Sequence, residues 1–104
     1  MTRSEILFNY RQAIRQANKL DEIADKIERL ATVKMDNTVG SLRNNWSSDN
    51  SQRYYSKAGQ VQSDIETNAR NVRRVASSIR TTAESIKNAE LRALEIARAR
   101  SYNS

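Results

Sequence analysis

The fold is decided by one stretch near the middle of the chain, Leu42-Arg43-Asn44-Asn45-Trp46-Ser47-Ser48-Asp49. It holds the only tryptophan of the 104 residues, and long amphipathic patterns without proline run on both sides of it. Gly40 and the pair Asn44-Asn45 weaken the last helical turns before the tryptophan. We therefore predict an all-α fold in a single domain, an antiparallel two-helix hairpin with helix 1 over about 4–44, a turn over about 45–49 and helix 2 over about 50–99.

The first predicted helix begins with Thr2 and Glu5, which have the spacing of a capping box. Past Ala31 its apolar spacing loosens, as in a stutter that resets the drift of a helical stripe. Before that point, steps of three and four residues predict a seam against another helix. The members of this stripe are Ile6, Tyr10, Ala13, Ala17, Leu20, Ala24, Ile27 and Ala31.

The second predicted helix has a regular heptad pattern, which predicts the seam of the hairpin. Its N-terminus can be capped by Asp49 with Gln52, or by Ser47 or Ser48. A ridge of alanines lies beside the heptad stripe, where a further helix can approach closely. The stripe consists of Ala58, Val61, Ile65, Asn68, Val72, Val75, Ile79, Thr82, Ile86, Ala89, Ala93 and Ile96, and the ridge of Ala69, Ala76, Ala83 and Ala97.

Composition narrows the possible functions. The chain contains no cysteine and no histidine, which removes disulfides, thiolate sites and imidazole sites. A general base would have to be an exposed Asp or Glu with an ordinary pKa. We therefore expect no enzyme, no catalytic residue, no metal site and no cofactor. The N-terminus does not read as a signal peptide, and no stretch is apolar for long enough to insert into a membrane.

The first helix carries more apolar residues than one partner helix can cover. Leu7, Ile14, Ile23 and Leu30 flank its main stripe. A two-helix hairpin has a single helix–helix seam instead of a core. Small folds of this kind usually need a disulfide, a metal site or a partner for stability. We therefore predict a dimer interface at these four residues and the alanine ridge, which would complete a four-helix bundle.

The net charge of +6 is uneven, because residues 70–104 hold eight Lys and Arg against three Asp and Glu. This arrangement leaves open a basic helical coiled-coil protein that binds nucleic acid. The arginines lie on several helix faces, however, and no aromatic residue occurs between Tyr55 and Tyr102 for base stacking. The sequence alone therefore argues against nucleic acid as a partner and favours a solvated or partner-facing role for these arginines.

Trp46 followed eight residues later by Tyr54, between two long helices, resembles the WXG family of small helical-hairpin proteins of type VII (ESX) secretion. In that family a Trp-X-Gly turn joins the helices. Here the turn motif is Trp46, Ser48 and Tyr54, with serine in place of glycine. The serine requires a turn without a left-handed residue at that position, or a turn in which it caps the second helix. Trp46 is either an exposed side chain that a partner recognises or the hydrophobic plug, the side chain that packs inside the turn and closes the hairpin. The two roles are compatible.

The resemblance implies a secreted protein that has no cleavable signal peptide and is cytoplasmic before export. It would be a substrate or an export companion. Its implied partners are a second copy, a related small helical protein or the N-terminal helical domain of a toxin, and the secretion ATPase. The family's Tyr-X-X-X-acid tail signal is absent. A looser pattern at Ile86, Glu90, Ala93 and Ala97 is a possible export element, or simply a solvated stretch of amphipathic helix.

Overall fold

The computed structural model describes residues 1–103, leaving aside the side chain of Asn103. Helix α1 spans Arg3–Arg29 and continues through a π-helical segment, Leu30–Met35, into α2, Asp36–Asn45. After a turn, α3 spans Asp49–Asn103. The predicted all-α class is confirmed, since two helical arms are joined by a turn and the described residues contain no strand. None of these helices has a stretch apolar enough to cross a bilayer.

The chain packs as two compact units. The turn unit is Asp21–Arg73, and the terminal unit consists of Met1–Leu20 with the residues from Arg74 onward. The turn unit contains the π-helical segment, α2 and the turn itself. The terminal unit contains the start of α1 and the larger part of α3.

The first helix starts as its sequence predicts. The Glu5 N–H donates to the Thr2 hydroxyl over 3.2 Å, which satisfies one of the free donors at a helix N-terminus. The Thr2 hydroxyl in turn donates to a Glu5 carboxylate oxygen at 3.1 Å. The predicted capping pair is therefore confirmed, although the carboxylate accepts from the threonine hydroxyl.

The seam between the arms is made mainly of alanine. In the terminal unit, Ala17 and Ala76 are fully buried, and Ile6 is 2% exposed. In the turn unit the fully buried alanines are Ala24, Ala31 and Ala69. Because a methyl group takes little space, the two backbones can lie close together along this line.

Only part of the heptad stripe lies in this seam, although the sequence predicts that the stripe as a whole forms it. Ile65, Val72 and Ile79 are half-buried, whereas Val61 and Val75 are 48% and 53% exposed. Ala69 and Ala76 of the alanine ridge are buried within the chain itself. Those two alanines are therefore not available to a second hairpin.

The π-helical segment coincides with the stutter in the apolar stripe. A π-helix is bonded from i to i+5 and so has more residues per turn than an α-helix, which keeps the four-residue step from Ala31 to Met35 close to one face. The Gln62 amide donates to the Ala31 carbonyl at 2.7 Å and to an Asp36 carboxylate oxygen at 2.6 Å. One side chain of α3 thus binds both a carbonyl of the wide turn and the first residue of α2.

Candidate functional site

The turn is closed by a cap on each side. Trp46 ends α2 in an extended conformation, with φ −140° and ψ 112°, and its N–H donates to the Leu42 carbonyl at 2.8 Å. Ser48 caps α3, because its hydroxyl accepts from the Ser51 N–H at 3.2 Å. The Ser51 hydroxyl, fully buried, accepts from the Ser48 N–H at 2.8 Å and donates to the Ser48 carbonyl at 2.7 Å. This reciprocal pair is a capping box made of two serines.

The serine in the turn motif therefore acts as a helix cap. None of the described residues has a positive φ, so the turn uses no left-handed residue. Of the capping alternatives predicted for α3, Ser48 is the residue observed, and Asp49 is the first residue of the helix.

Three aromatic rings meet at this turn. The Tyr55 hydroxyl donates to the Trp46 carbonyl at 2.7 Å, and Tyr55 is only 6% exposed. The Arg43 guanidinium lies 4.9 Å from the centre of the Tyr55 ring. The Trp46 and Tyr54 ring centroids are 5.9 Å apart, and these two side chains are 41% and 44% exposed. The buried plug is therefore Tyr55, and Trp46 with Tyr54 forms an exposed aromatic pair.

Sequence reasoning missed the role of Tyr55. Its neighbour Tyr54 has the spacing of the resemblance, and the structure does place Trp46, Ser48 and Tyr54 together at the turn. The available signal was the tyrosine doublet itself: successive residues of a helix point about 100° apart, so the two rings cannot both point straight at the other arm.

The four residues predicted for the dimer interface separate into two pairs. Leu7 and Ile14 belong to the terminal unit and are half-buried. Ile23 and Leu30 belong to the turn unit and are 47% and 46% exposed, with Val33 beside them in sequence at 51%. The nine-residue step from Ile14 to Ile23 is two and a half turns of α-helix, so the spacing itself does not give one continuous stripe.

The residues of the possible export element line hollows of the terminal unit. A hollow of about 100 Å³ is lined by both Ile86 and Glu90. A second hollow, of about 290 Å³, is lined by Glu90, Ala93 and Ala97. Ile6 of α1 lines both of these hollows. The structure therefore brings the four predicted residues to one side of α3, beside the first helix.

A larger hollow, about 470 Å³, shares Ile86 with the first of these and was not predicted. We call it the terminal groove. Most of its lining is apolar, and Val75 and Ile86 on its wall are 53% and 51% exposed. Its residues are Ala13, Arg74, Val75, Ser78, Ile79, Thr82, Ala83 and Ile86.

Charged contacts differ between the units. In the turn unit, Arg73 pairs with Asp25 at 2.9 Å and also with Glu28. Hydrogen bonds to Asp25 and then Glu28 raise the pKa of the Arg73 guanidinium. A raised pKa means that this stabilisation is fully present at neutral pH and is lost only as pH rises through the arginine pKa.

In the terminal unit, Arg80 donates to Asn18 at 2.8 Å, and Lys87 lies 4.3 Å from the centre of the Tyr10 ring.

The whole net charge belongs to the terminal unit. That unit holds ten Lys and Arg against four Asp and Glu, for a net charge of +6, whereas the turn unit holds eight of each and is neutral. Among residues 1–103, no cluster of acidic side chains has the arrangement needed to hold a metal ion.

Comparison with protein families, with curated proteins and with solved structures found no match for this chain.

Proposed function

We propose that this chain is a non-enzymatic substrate or export companion of a type VII (ESX) secretion system, a divergent relative of the WXG family. It would act by packing into a helical bundle with a partner. The observation that carries this proposal is the exposed aromatic pair Trp46 and Tyr54, held at a serine-capped turn between two helical arms. The absence of histidine and cysteine from the sequence supports a role in binding over one in catalysis.

Uncovered surface supports the bundle. A compact protein of 11.9 kDa exposes about 5,900 Å², whereas this chain exposes 7980 Å². The excess, roughly 2,000 Å², is larger than the area of about 800 Å² that one partner buries in a standard protein–protein interface. A second helical hairpin would cover such a surface and complete a four-helix bundle. The proposed partner is a second copy, a related small helical protein or the N-terminal helical domain of a toxin.

Recognition by the secretion ATPase is proposed at two places. The first is the aromatic pair at the turn, since half-exposed aromatic rings are common anchors of protein interfaces. The second is the side of α3 that carries Ile86, Glu90, Ala93 and Ala97. In this proposal the protein folds in the cytoplasm before it is exported.

The test is secretion of Trp46→Ala from a strain that carries the system. Because the Trp46 backbone makes the contacts with Leu42 and Tyr55, the variant keeps the hydrogen bonds of the turn. We expect its cytoplasmic level and helical circular dichroism to stay close to wild type, while the secreted amount falls by about tenfold or more.

Phe8→Ala is the matched control, because Phe8 is 56% exposed and lies in the terminal unit. It should be exported like wild type. Trp46→Phe, which keeps a ring at the turn, should restore part of the export. Normal export of Trp46→Ala would contradict the proposed role of the turn.

A second candidate, nucleic-acid binding, is favoured by the +6 charge of the terminal unit. Binding of this kind depends strongly on salt, because each phosphate contact releases counterions. A titration with duplex DNA and with RNA at low and at physiological salt tests it. Affinity that falls steeply with salt supports this candidate, and no measurable affinity at low salt eliminates it.

A further inference from the structure

The terminal groove is an apolar surface with a definite length. Val75 and Ile86 are eleven residues apart, close to three turns of α3, so they lie on one face of the helix. The distance between them along the helix axis is about 17 Å. Both are about half exposed, and Ala13 of α1 provides the facing wall. The groove thus offers a strip of the length and polarity that several turns of an amphipathic helix would cover.

The charge around the groove selects among possible occupants. Among the described residues that line it, Arg74 is the only charged one. Arg92 follows eighteen residues later, which is five full turns, so it stands on the same edge of α3, about 9 Å beyond Ile86 along the helix axis. Of the charged residues in the terminal unit, ten are basic and four acidic. The unit that carries the groove, with its net positive charge, therefore attracts a negatively charged partner.

A second copy that presented its own terminal unit would place one +6 unit against another. Like charges brought together at an interface oppose association. Nucleic acid would satisfy the charge, but phosphates have no favourable contact with an apolar wall such as Val75, Ile79 and Ile86. An acidic helix with one apolar face satisfies both the wall and the charge.

We infer that the terminal groove binds an acidic amphipathic helix of another chain. This inference rests on the proposed bundle-forming function and specifies the chemistry of the partner. The apolar face of the helix covers Val75 and Ile86, and acidic residues on its flank lie near Arg74.

The test uses the full chain and two synthetic helical peptides of about 28 residues, each with leucine at heptad positions a and d. One peptide has glutamate at e and g, and the other has lysine there. Binding is measured by fluorescence anisotropy at low and at physiological salt. We expect the glutamate peptide to bind at least about tenfold more tightly than the lysine peptide, with a difference that shrinks as salt screens the charges.

Two pairs of variants locate the site. Val75→Ser should weaken the glutamate peptide about tenfold, whereas Val61→Ser, a valine of similar exposure on the same helix but in the turn unit, should leave it within about twofold. Arg74→Glu should reduce the preference for the glutamate peptide, and Arg53→Glu in the turn unit should change it much less. Circular dichroism of each variant checks that the helices are intact.

Each other outcome overturns the inference in a distinguishable way. Equal binding of the two peptides would contradict the preference for an acidic helix, while the groove would still be a site that binds helices. A chain that dimerises by itself, with the dimer broken by Val75→Ser and no peptide bound, assigns the groove to a second copy and keeps the proposed bundle. A monomer that binds neither peptide contradicts both the inference and the bundle. Duplex DNA that binds equally to wild type and Val75→Ser, with neither peptide bound, supports the nucleic-acid candidate instead.

Discussion

The turn unit and the terminal unit are built from the same two helical arms but are stabilised by different contacts. In the turn unit, three side chains of α3 bind groups in the turn or before it: Tyr55, Gln62 and Arg73. In the terminal unit the wall formed by Val75 and Ile86 is half exposed, and the whole net charge is concentrated there. Apolar side chains stay about half exposed in both units, Val61 in the turn unit and Val75 in the terminal unit. The comparison therefore indicates that the two units differ in the polar contacts that hold the arms together and in their net charge.

The largest expected effect is at the centre of the turn unit. Tyr55→Ala removes a buried ring and its hydrogen bond, and should lower the free energy of unfolding by about 3–5 kcal/mol. Tyr55→Phe, which loses only the hydroxyl, should lower it by about 1 kcal/mol. Chemical denaturation measures both values, and Tyr54→Ala is the control, since Tyr54 is 44% exposed. A Tyr54→Ala cost equal to that of Tyr55→Ala would show that the two tyrosines share the plug.

The alanine seam should respond equally in the two units. Ala76→Leu in the terminal unit and Ala69→Leu in the turn unit each force a larger side chain between close helices, and each should lower the free energy of unfolding by about 1–3 kcal/mol. Ala89→Leu, at an exposed position of α3, should stay within about 0.5 kcal/mol of wild type. A neutral Ala76→Leu with a costly Ala69→Leu would mean that only the turn unit has a tight seam.

Gln62→Ala tests the polar contact that is particular to the turn unit. Loss of the amide leaves the Ala31 carbonyl without this donor, and should lower the free energy of unfolding by about 1 kcal/mol. Hydrogen exchange should quicken over residues 30–36 and stay unchanged over residues 80–100. Gln60→Ala, an exposed neighbour on α3, is the control. Faster exchange throughout the chain would contradict a local role for Gln62.

The smallest effect is a gain of stability in the turn unit, which contains both glycines of the chain. A methyl group added at Gly40 or Gly59 would meet nothing within 4 Å. Gly40→Ala and Gly59→Ala should therefore each raise the free energy of unfolding by about 0.5–1 kcal/mol, because glycine disfavours helix. Ala89→Gly in the terminal unit should lower it by a similar amount. Destabilisation by either alanine would reveal a close approach at that glycine.

The parts of the fold that follow from local chemistry were predictable. The Thr2 cap, the turn at Trp46 and the helical arms each have a signal within a few residues of sequence. The stutter after Ala31 also has such a signal, and the structure converts it into a π-helical segment. The contact that binds this segment, from Gln62, is not local, and no spacing in the sequence indicates it.

The rotation of α3 was not predictable from its heptads. Apolar periodicity identifies a broad face of a helix, and alanine lies within that face together with valine and isoleucine. Which of them enters the seam depends on how closely the two backbones approach, and this depends on residues from both arms together. Ala17 and Ala24 of α1 are as small as Ala69 and Ala76 of α3, so the two backbones approach closely where these alanines lie. Val75 is therefore not in the seam and remains exposed.

The serine cap at the turn has a consequence for which sequences can form such a turn. Because Ser48 and Ser51 close the start of α3 with every residue in the ordinary right-handed or extended regions, reversing direction after a tryptophan imposes no demand for glycine. Replacing Ser48 by glycine would lose a hydroxyl acceptor and enlarge the freedom of the unfolded chain. Sequence patterns that insist on glycine two positions after the tryptophan will therefore pass over proteins that turn in this way.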